Sequence, residues 1–456
     1  MIKVGFYMSG NYARVLRHCS EYLYEYRLYA FCPNDKAFNI CRADDRFLDV
    51  GYLFDNFNQL YKSLDGTELI DLFPRINLAR VLATDKSHYK RYSASYQEKI
   101  VNTMGVVITK WLKATSPNYL IFPIIESIDA MLTYEIALQL GINTMCYSHG
   151  RSLQVSFFSN SCNETLPAFT YALKSGSRRE AKKLLQDSIA NKRVTFYGAS
   201  INKGDLDVFE DIQDPHPVYR LFNNIKLKLG KERHNQTLQI WIKFQVYFER
   251  FFVGYHKIKY KAMEMLFIKP ISNLPEEYDV FPLHFSPESS INTPAPFYID
   301  QERVVDKILI SRTNSNRLIL KEHTAVLGYR PLKFYLKMKR KPFVDFVAAS
   351  YDTEKMINDA GHIYSVTGTV CLEAFLREKK WTQLGENFLS AWHRHQIENN
   401  KETTPLAFCE DVLKVSGNFF LLSPKAGGSF NNMLMSKENI SNMCCNIKFY
   451  IENTQP

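Results

Sequence analysis

The stretch His362–Ala374, HIYSVTGTVCLEA, reads as a strand that runs into a glycine turn and then into a helix. His362 to Val366 has the length and composition of a strand, Thr367-Gly368-Thr369 interrupts it, and a helix begins at about Val370. A glycine there lets a phosphate approach the backbone, with threonine hydroxyls on either side as donors. The N-terminus of the following helix adds N–H groups and a favourable dipole. Glu373 falls one turn into that helix, where a carboxylate can accept from ribose hydroxyls. The other reading of the same residues is an N-cap threonine with a core-facing glutamate nearby.

Working outward, Phe281 to Glu386 holds four polar signals in order: FPLHFSPESS from Phe281, KEHT from Lys321, VTGTVCLEA from Val366 and QLGE from Gln383. Between them lie apolar runs of strand length, KILIS from Lys307, RLIL from Arg317 and FVDFVAA from Phe343. Strands alternating with helical or turn segments predict an α/β fold with a parallel sheet. Three of the four signals follow a predicted strand, which is where such a sheet opens its ligand crevice. Prolines and serines keep the FPLHFSPESS loop non-helical, and Glu288, Ser289 and Ser290 would face the crevice from it. Lys321 and His323 follow the strand Arg317 to Leu320, although a surface role is the commoner fate of a lysine.

These motifs, PLHF.PESS, KEH, GYR, TGT..LEA and LGE in that order, resemble the bacterial capsule polysaccharide biosynthesis proteins, a family that includes the Kdo transferases. The resemblance is close over Phe281 to Glu386 and loose elsewhere. It implies the GT-B fold: two Rossmann-like domains with parallel sheets facing across a cleft. It also implies a metal-independent glycosyltransferase without a resident cofactor. A nucleotide sugar would bind in the C-terminal half through Lys321, His323, Thr367, Gly368, Thr369 and Glu373, the histidine contacting donor phosphate. The implied donor is CMP-linked Kdo or another acidic sugar, with a UDP-sugar as the alternative. The family usually reads KEHP where this chain has Thr324, so the turn after His323 departs from the pattern.

In the N-terminal half, Ile2 to Met8 reads as a buried strand, Ser9-Gly10-Asn11 as a turn, and a helix follows to about Tyr24. Leu28 to Cys32 completes a βαβ unit. Without GxGxxG there is no dinucleotide fingerprint, so Ser9 and Gly10 are either a substrate loop or a plain turn. Phe47 to Lys90 is uninformative. A helix from Tyr96 to Ala114 precedes the strand Tyr119 to Phe122, which Pro123 ends, and Glu126 and Asp129 follow at its carboxyl end. The strand Ile142 to Tyr147 then delivers Ser148-His149-Gly150-Arg151 to the same edge.

Glu126 is the preferred general base, with His149 as a second candidate and Glu288 as the runner-up from the other half. Asp129 and Arg151 are substrate-binding candidates, the acid as an orienting partner for the base and Arg151 as the cation for an anionic sugar or phosphate. Glu126 can equally be a first-turn acid complementing its helix dipole, and His149 a loop histidine with its bonds met. The spacing is similar to that of UDP-N-acetylglucosamine 2-epimerase, which shares the fold and has acids at two successive strand ends. This chain has a histidine at the second.

The chain of 456 residues allows two or three domains. The expected division is an acceptor domain at 1–220, a basic aromatic helical segment with a hinge at 221–275, and a nucleotide-sugar domain at 276–456 that ends in a helix. The formal charge of +10 is concentrated from Phe222 to Lys261, with nine Lys or Arg against two Glu. Interleaved aromatics make that stretch either a peripheral contact for an anionic inner-membrane surface or a solvated linking helix. No nucleic-acid module accompanies the charge. Nine cysteines without a CxxC pair imply neither a zinc site nor a disulfide framework, and a reducing cytoplasm fits them. No signal peptide or spanning segment is expected. The partners expected are a nucleotide sugar and a glycan or glycolipid acceptor. The rival functions are a nucleotide-sugar 2-epimerase and a non-catalytic assembly factor of the same fold.

Overall fold

The computed structural model describes residues 1–9, 12–55, 57–64, 68–85, 93–164, 177–190, 253–267, 274–284, 289–323, 330–421 and 434–454. Eleven strands among them form two sheets. The first contains β1 (Lys3–Tyr7), β2 (Arg27–Cys32), β3 (Phe47–Tyr52), β4 (Tyr119–Phe122), β5 (Asn143–His149) and β6 (Ser156–Ser159), in the order β3-β2-β1-β4-β5-β6. The second contains β7 (Tyr278–Pro282), β8 (Arg317–Lys321), β9 (Val344–Val347), β10 (His362–Ser365) and β11 (Trp381–Gln383), in the order β11-β10-β7-β8-β9. Every pairing is parallel except that of β5 with β6.

Counted from its own first strand, each half has the same order, 3-2-1-4-5. This is the Rossmann arrangement, and it reverses direction once per sheet, between β1 and β4 and between β7 and β10. An open parallel sheet parts its crossover loops at that reversal and leaves a crevice at the carboxyl ends of the strands. The fold is therefore α/β with two Rossmann-like halves, the GT-B architecture.

The central strands are apolar on both faces because helices cover both. Val4 and Phe6 of β1 are fully buried on one side with Leu16, Ile121 and Met145, and Tyr7 on the other with Phe31, Leu120 and Phe122. In the second half Phe281, Leu318, Leu320 and Phe346 pack on one face, and Val280, Ile319 and Ile363 on the other. The helix Lys437–Asn453 crosses back onto the first half, where Ile440, Met443, Ile447 and Ile451 join the β1 core. Tyr119 of β4 donates to the carbonyl of Ile451 there at 3.3 Å.

Several local expectations are corrected. Lys307 to Ser311 belongs to the helix Gln301–Ser311, in which Val304, Val305 and Ile308 are buried at helical spacing, so the KILIS run is one side of a helix and not a strand. The first helix ends at Arg17 and continues as a 3-10 turn, His18–Glu21, short of Tyr24. Ser289 and Ser290 are helical, in Ser289–Asn292, because the two prolines stand before the turn and not inside it. β3 emerges from the uninformative stretch, and β6 adds an antiparallel edge that was not expected. Residues 222–252 of the basic segment fall outside the described residues, and the remainder of that segment enters the helix Val253–Phe267.

Candidate functional site

The second switch point is built around His284, two residues past β7. Its Nε2 accepts from the backbone N–H of Val366 at 3.0 Å and lies 3.1 Å from Ser365 Oγ, at the end of β10. Ser365 Oγ in turn accepts from the N–H of Gly368 at 3.0 Å. The imidazole thus ties the ends of β7 and β10 together and sets the glycine turn on top. Burial, then the nearby His323 and Arg330, push its pKa down to about 3, which keeps Nε2 an acceptor.

Gly368 is the N-cap of the helix Thr369–Leu376, with φ of −69°, an ordinary extended backbone that any residue adopts. Glycine is needed there for space. A Cβ would come within 2.8 Å of Ser365 Oγ and 2.9 Å of His284 Cε1. As a glycine, Gly368 has no side chain with which to cap this helix. Thr369 is exposed at its start, Thr367 is fully buried, and Glu373 is buried one turn further in. Gly385, after β11, presses against the same turn, where a Cβ would lie 2.8 Å from Thr367 Cγ2. Asn387 then caps the helix Phe388–Glu398 in a reciprocal box with Ser390, and its Nδ2 donates to the Thr367 carbonyl at 3.4 Å.

Lys321 ends β8 and donates from Nζ to Thr353 Oγ1, and His323 stands exposed beyond it. The residue between them was missed. Glu322 is buried and accepts from Arg330 Nε at 2.7 Å, from Tyr335 Oη at 2.8 Å and from the N–H of His323 at 2.7 Å. Arg330 Nη2 also donates to the carbonyl of His284. The KEH and GYR signals therefore meet in one ion pair that holds the His284 loop. Its sequence signal was the recurrence of an acid and an arginine in two motifs.

At the first switch point, Asp129 is buried and accepts from Tyr7 Oη at the end of β1. Burial first, then the charge of Asp129, drives the Tyr7 phenol pKa well up, so it stays a donor. Glu126 is half-buried beside this pair and adds to the same shift, and Ser9 is half-buried at the end of β1. Tyr7 was not picked from the sequence, since it reads as one more apolar strand residue. His149 accepts at Nδ1 from the N–H of Arg151 at 2.8 Å. Burial, then Arg151, lower its pKa to about 3.

The two switch points meet. Arg151 Nη1 donates to the Thr367 carbonyl at 2.7 Å, its Nη2 pairs with Glu164 at 3.2 Å, and its guanidinium lies 5.3 Å from the centroid of the Phe388 ring. Thr293 Oγ1 donates to the carbonyl of Ile125, next to Glu126, at 2.5 Å. Below them Leu153 and Phe157 of the first half pack with Phe388 and Trp392 of the second. Arg151 is thus taken up by protein partners of both halves. Gly10 and Glu288, and the side chains of Ser289 and Ser290, lie outside the described residues. Among the described residues there is no cluster of three or more His, Cys, Asp or Glu to hold a metal, and no helix long and apolar enough to cross a membrane.

No family model and no curated protein matches the chain. Among solved structures it is similar to KpsC of Thermosulfurimonas dismutans, described as a beta Kdo 2,7 transferase, at 10% identity and a TM-score of 0.32 over 74% of this chain and 89% of that one. It is also similar to the UDP-GlcNAc 2-epimerase of Methanocaldococcus jannaschii, at 10% identity and a TM-score of 0.24 over 98% and 100% of the two chains. The Neisseria meningitidis UDP-GlcNAc 2-epimerase, bound to UDP-GlcNAc, is matched at 10% identity and a TM-score of 0.24, over 99% and 100%.

Proposed function

We propose that the chain is a GT-B glycosyltransferase of bacterial capsule or surface polysaccharide assembly, which moves a sugar from a nucleotide-sugar donor to a glycan or glycolipid hydroxyl. The observation that carries this reading is the meeting of two Rossmann switch points at the Thr367-Gly368-Thr369 turn, with Glu126 and Asp129 on one side and an uncapped helix N-terminus on the other. An uncapped helix start beside a glycine favours a phosphate.

The donor phosphate would lie on the N–H groups around Thr369, with the Thr369 hydroxyl, His323 and Lys321 stabilising the charge that grows on the departing nucleotide. Glu373 would accept from the ribose. Glu126 would take the proton of the attacking acceptor hydroxyl, leaving an alkoxide-like oxygen to form the glycosidic bond as the bond to phosphate breaks. His149 is the weaker base of the two, because an imidazole whose pKa lies near 3 holds a proton poorly at neutral pH. Arg151 would act through the turn it grips, not through direct contact with the sugar. A CMP-linked acidic sugar such as Kdo is the preferred donor, ahead of a UDP-sugar.

A thermal-shift screen against CMP, UDP, GDP and ADP tests the donor class, with one nucleotide expected to raise Tm in a concentration-dependent way. Glu373→Ala and His323→Ala should abolish that shift with the fold intact. Flat curves for every nucleotide would remove the proposal. A C2 epimer appearing from a UDP-sugar without acceptor, followed by NMR, would replace it with the epimerase.

A further inference from the structure

The helices Val253–Phe267 and Leu332–Arg340 lie side by side on the flank of the second sheet. Lys339 Nζ donates to the Leu266 carbonyl at 3.4 Å, and Lys259 Nζ to that of Arg330 at 3.1 Å. Inward, both are anchored: Met263, Tyr335 and Met338 enter the β7 core, and the N–H of Ala349 donates to Tyr260 Oη at 3.2 Å.

Their outer face reverses the usual pattern of a surface helix. Ile258, Met265 and Leu266 are 71%, 86% and 67% exposed. Ile258, Lys261 and Met265 fall at i, i+3 and i+7, so they form one stripe. Leu332 and Leu336 are exposed on the neighbouring helix, in line with Arg340. That helix has four basic residues, Lys333, Lys337, Lys339 and Arg340, and no acidic one. The nearby acids are largely answered: Lys337 pairs with Glu302 at 3.0 Å, Lys341 pairs with Asp306, and Glu264 is half-buried. Among the described residues, what remains is an apolar stripe that includes Lys261 and is bordered by Lys333 and Arg340.

Exposed large apolar groups among cations that no acid of the described residues pairs suit a surface that is oily below and anionic above, which describes a bilayer of acidic lipids. We propose that this face docks on an anionic lipid bilayer, with Ile258, Met265, Leu266 and Leu336 in the boundary between headgroups and acyl chains and Lys261, Lys333 and Arg340 on lipid phosphates. The helix Leu332–Arg340 is the crossover from β8 to β9, which puts the face on the flank of the sheet. The proposal does not depend on the sugar-transfer reading.

The test is flotation of the full chain with vesicles of phosphatidylcholine, with and without phosphatidylglycerol. Binding is expected only with the acidic lipid and should weaken as salt rises. The triple variant K261Q/K333Q/R340Q should bind about a hundredfold more weakly, at about fivefold per cation. Met265→Ser with Leu266→Ser should also lose binding while keeping the Tm of the parent, since both side chains already face solvent. Equal flotation of parent and both variants would overturn the proposal. So would a concentration-dependent dimer in lipid-free buffer that the serine variant dissolves, because the face would then belong to a second copy.

Discussion

The guanidinium of Arg151 and the carbonyl of Thr367, 216 residues apart in the chain, are joined at 2.7 Å. The bond runs from the loop after β5 in the first half to the glycine turn in the second, so it couples the relative position of the halves to the orientation of the turn. Arg151→Ala should weaken nucleotide binding roughly 10- to 100-fold, the loss expected for a charge-assisted bond whose partners stay buried. Titration calorimetry with the nucleotide identified by thermal shift would measure it. Arg151→Lys should recover only part, because one ammonium cannot reach Thr367 and Glu164 in the same fork.

Gly368→Ala probes the turn without touching a charge. The added methyl meets Ser365 Oγ and His284 Cε1, both on buried side chains tied by hydrogen bonds. A loss of about 1–3 kcal/mol of stability is expected, together with loss of nucleotide binding. Urea unfolding gives the first and calorimetry the second. Unchanged affinity in a folded variant would place the ligand elsewhere.

Glu126→Gln should lower kcat about 10²- to 10⁴-fold while leaving nucleotide affinity intact, as expected when only the base is removed. Tyr7→Phe should act more mildly, since it strips one donor from Asp129 and leaves the carboxylates in place. A transfer assay with saturating donor separates these effects.

His284 and His149 make stability depend on pH in a calculable direction. Each has a folded-state pKa near 3 against an ordinary 6.5, so the unfolded chain binds the proton more readily. Their contribution is complete above about pH 6.5 and declines as pH falls toward 3, by up to about 1.4 kcal/mol per pH unit for each histidine. Between pH 7 and 5 the unfolding free energy should drop, and His284→Gln should flatten that drop. An amide can still accept the Val366 N–H and does not titrate.

Glu322→Ala removes one side of a buried pair and leaves Arg330 without its carboxylate. A destabilisation of about 3–5 kcal/mol is expected from differential scanning calorimetry. Glu322→Ala with Arg330→Met should recover a large part of it.

The sequence alone determined the alternation of strands and helices, the parallel sheets, and the places where polar residues leave the strands, because these follow from local periodicity and from glycine and proline chemistry. It failed at Lys307, where three apolar residues in a row, Ile308 to Ile310, have no period long enough to separate a helix side from a strand. It passed over Tyr7, whose partner Asp129 lies 122 residues away, and Glu322, whose partners Arg330 and Tyr335 come from the turn and the helix that follow β8. Only the tertiary structure decided that Arg151 grips the Thr367 turn, that His284 ties β7 to β10, and that both sheets reverse at the same place. Those are contacts between segments distant in the chain, and no spacing within a segment encodes which partner a buried donor will find.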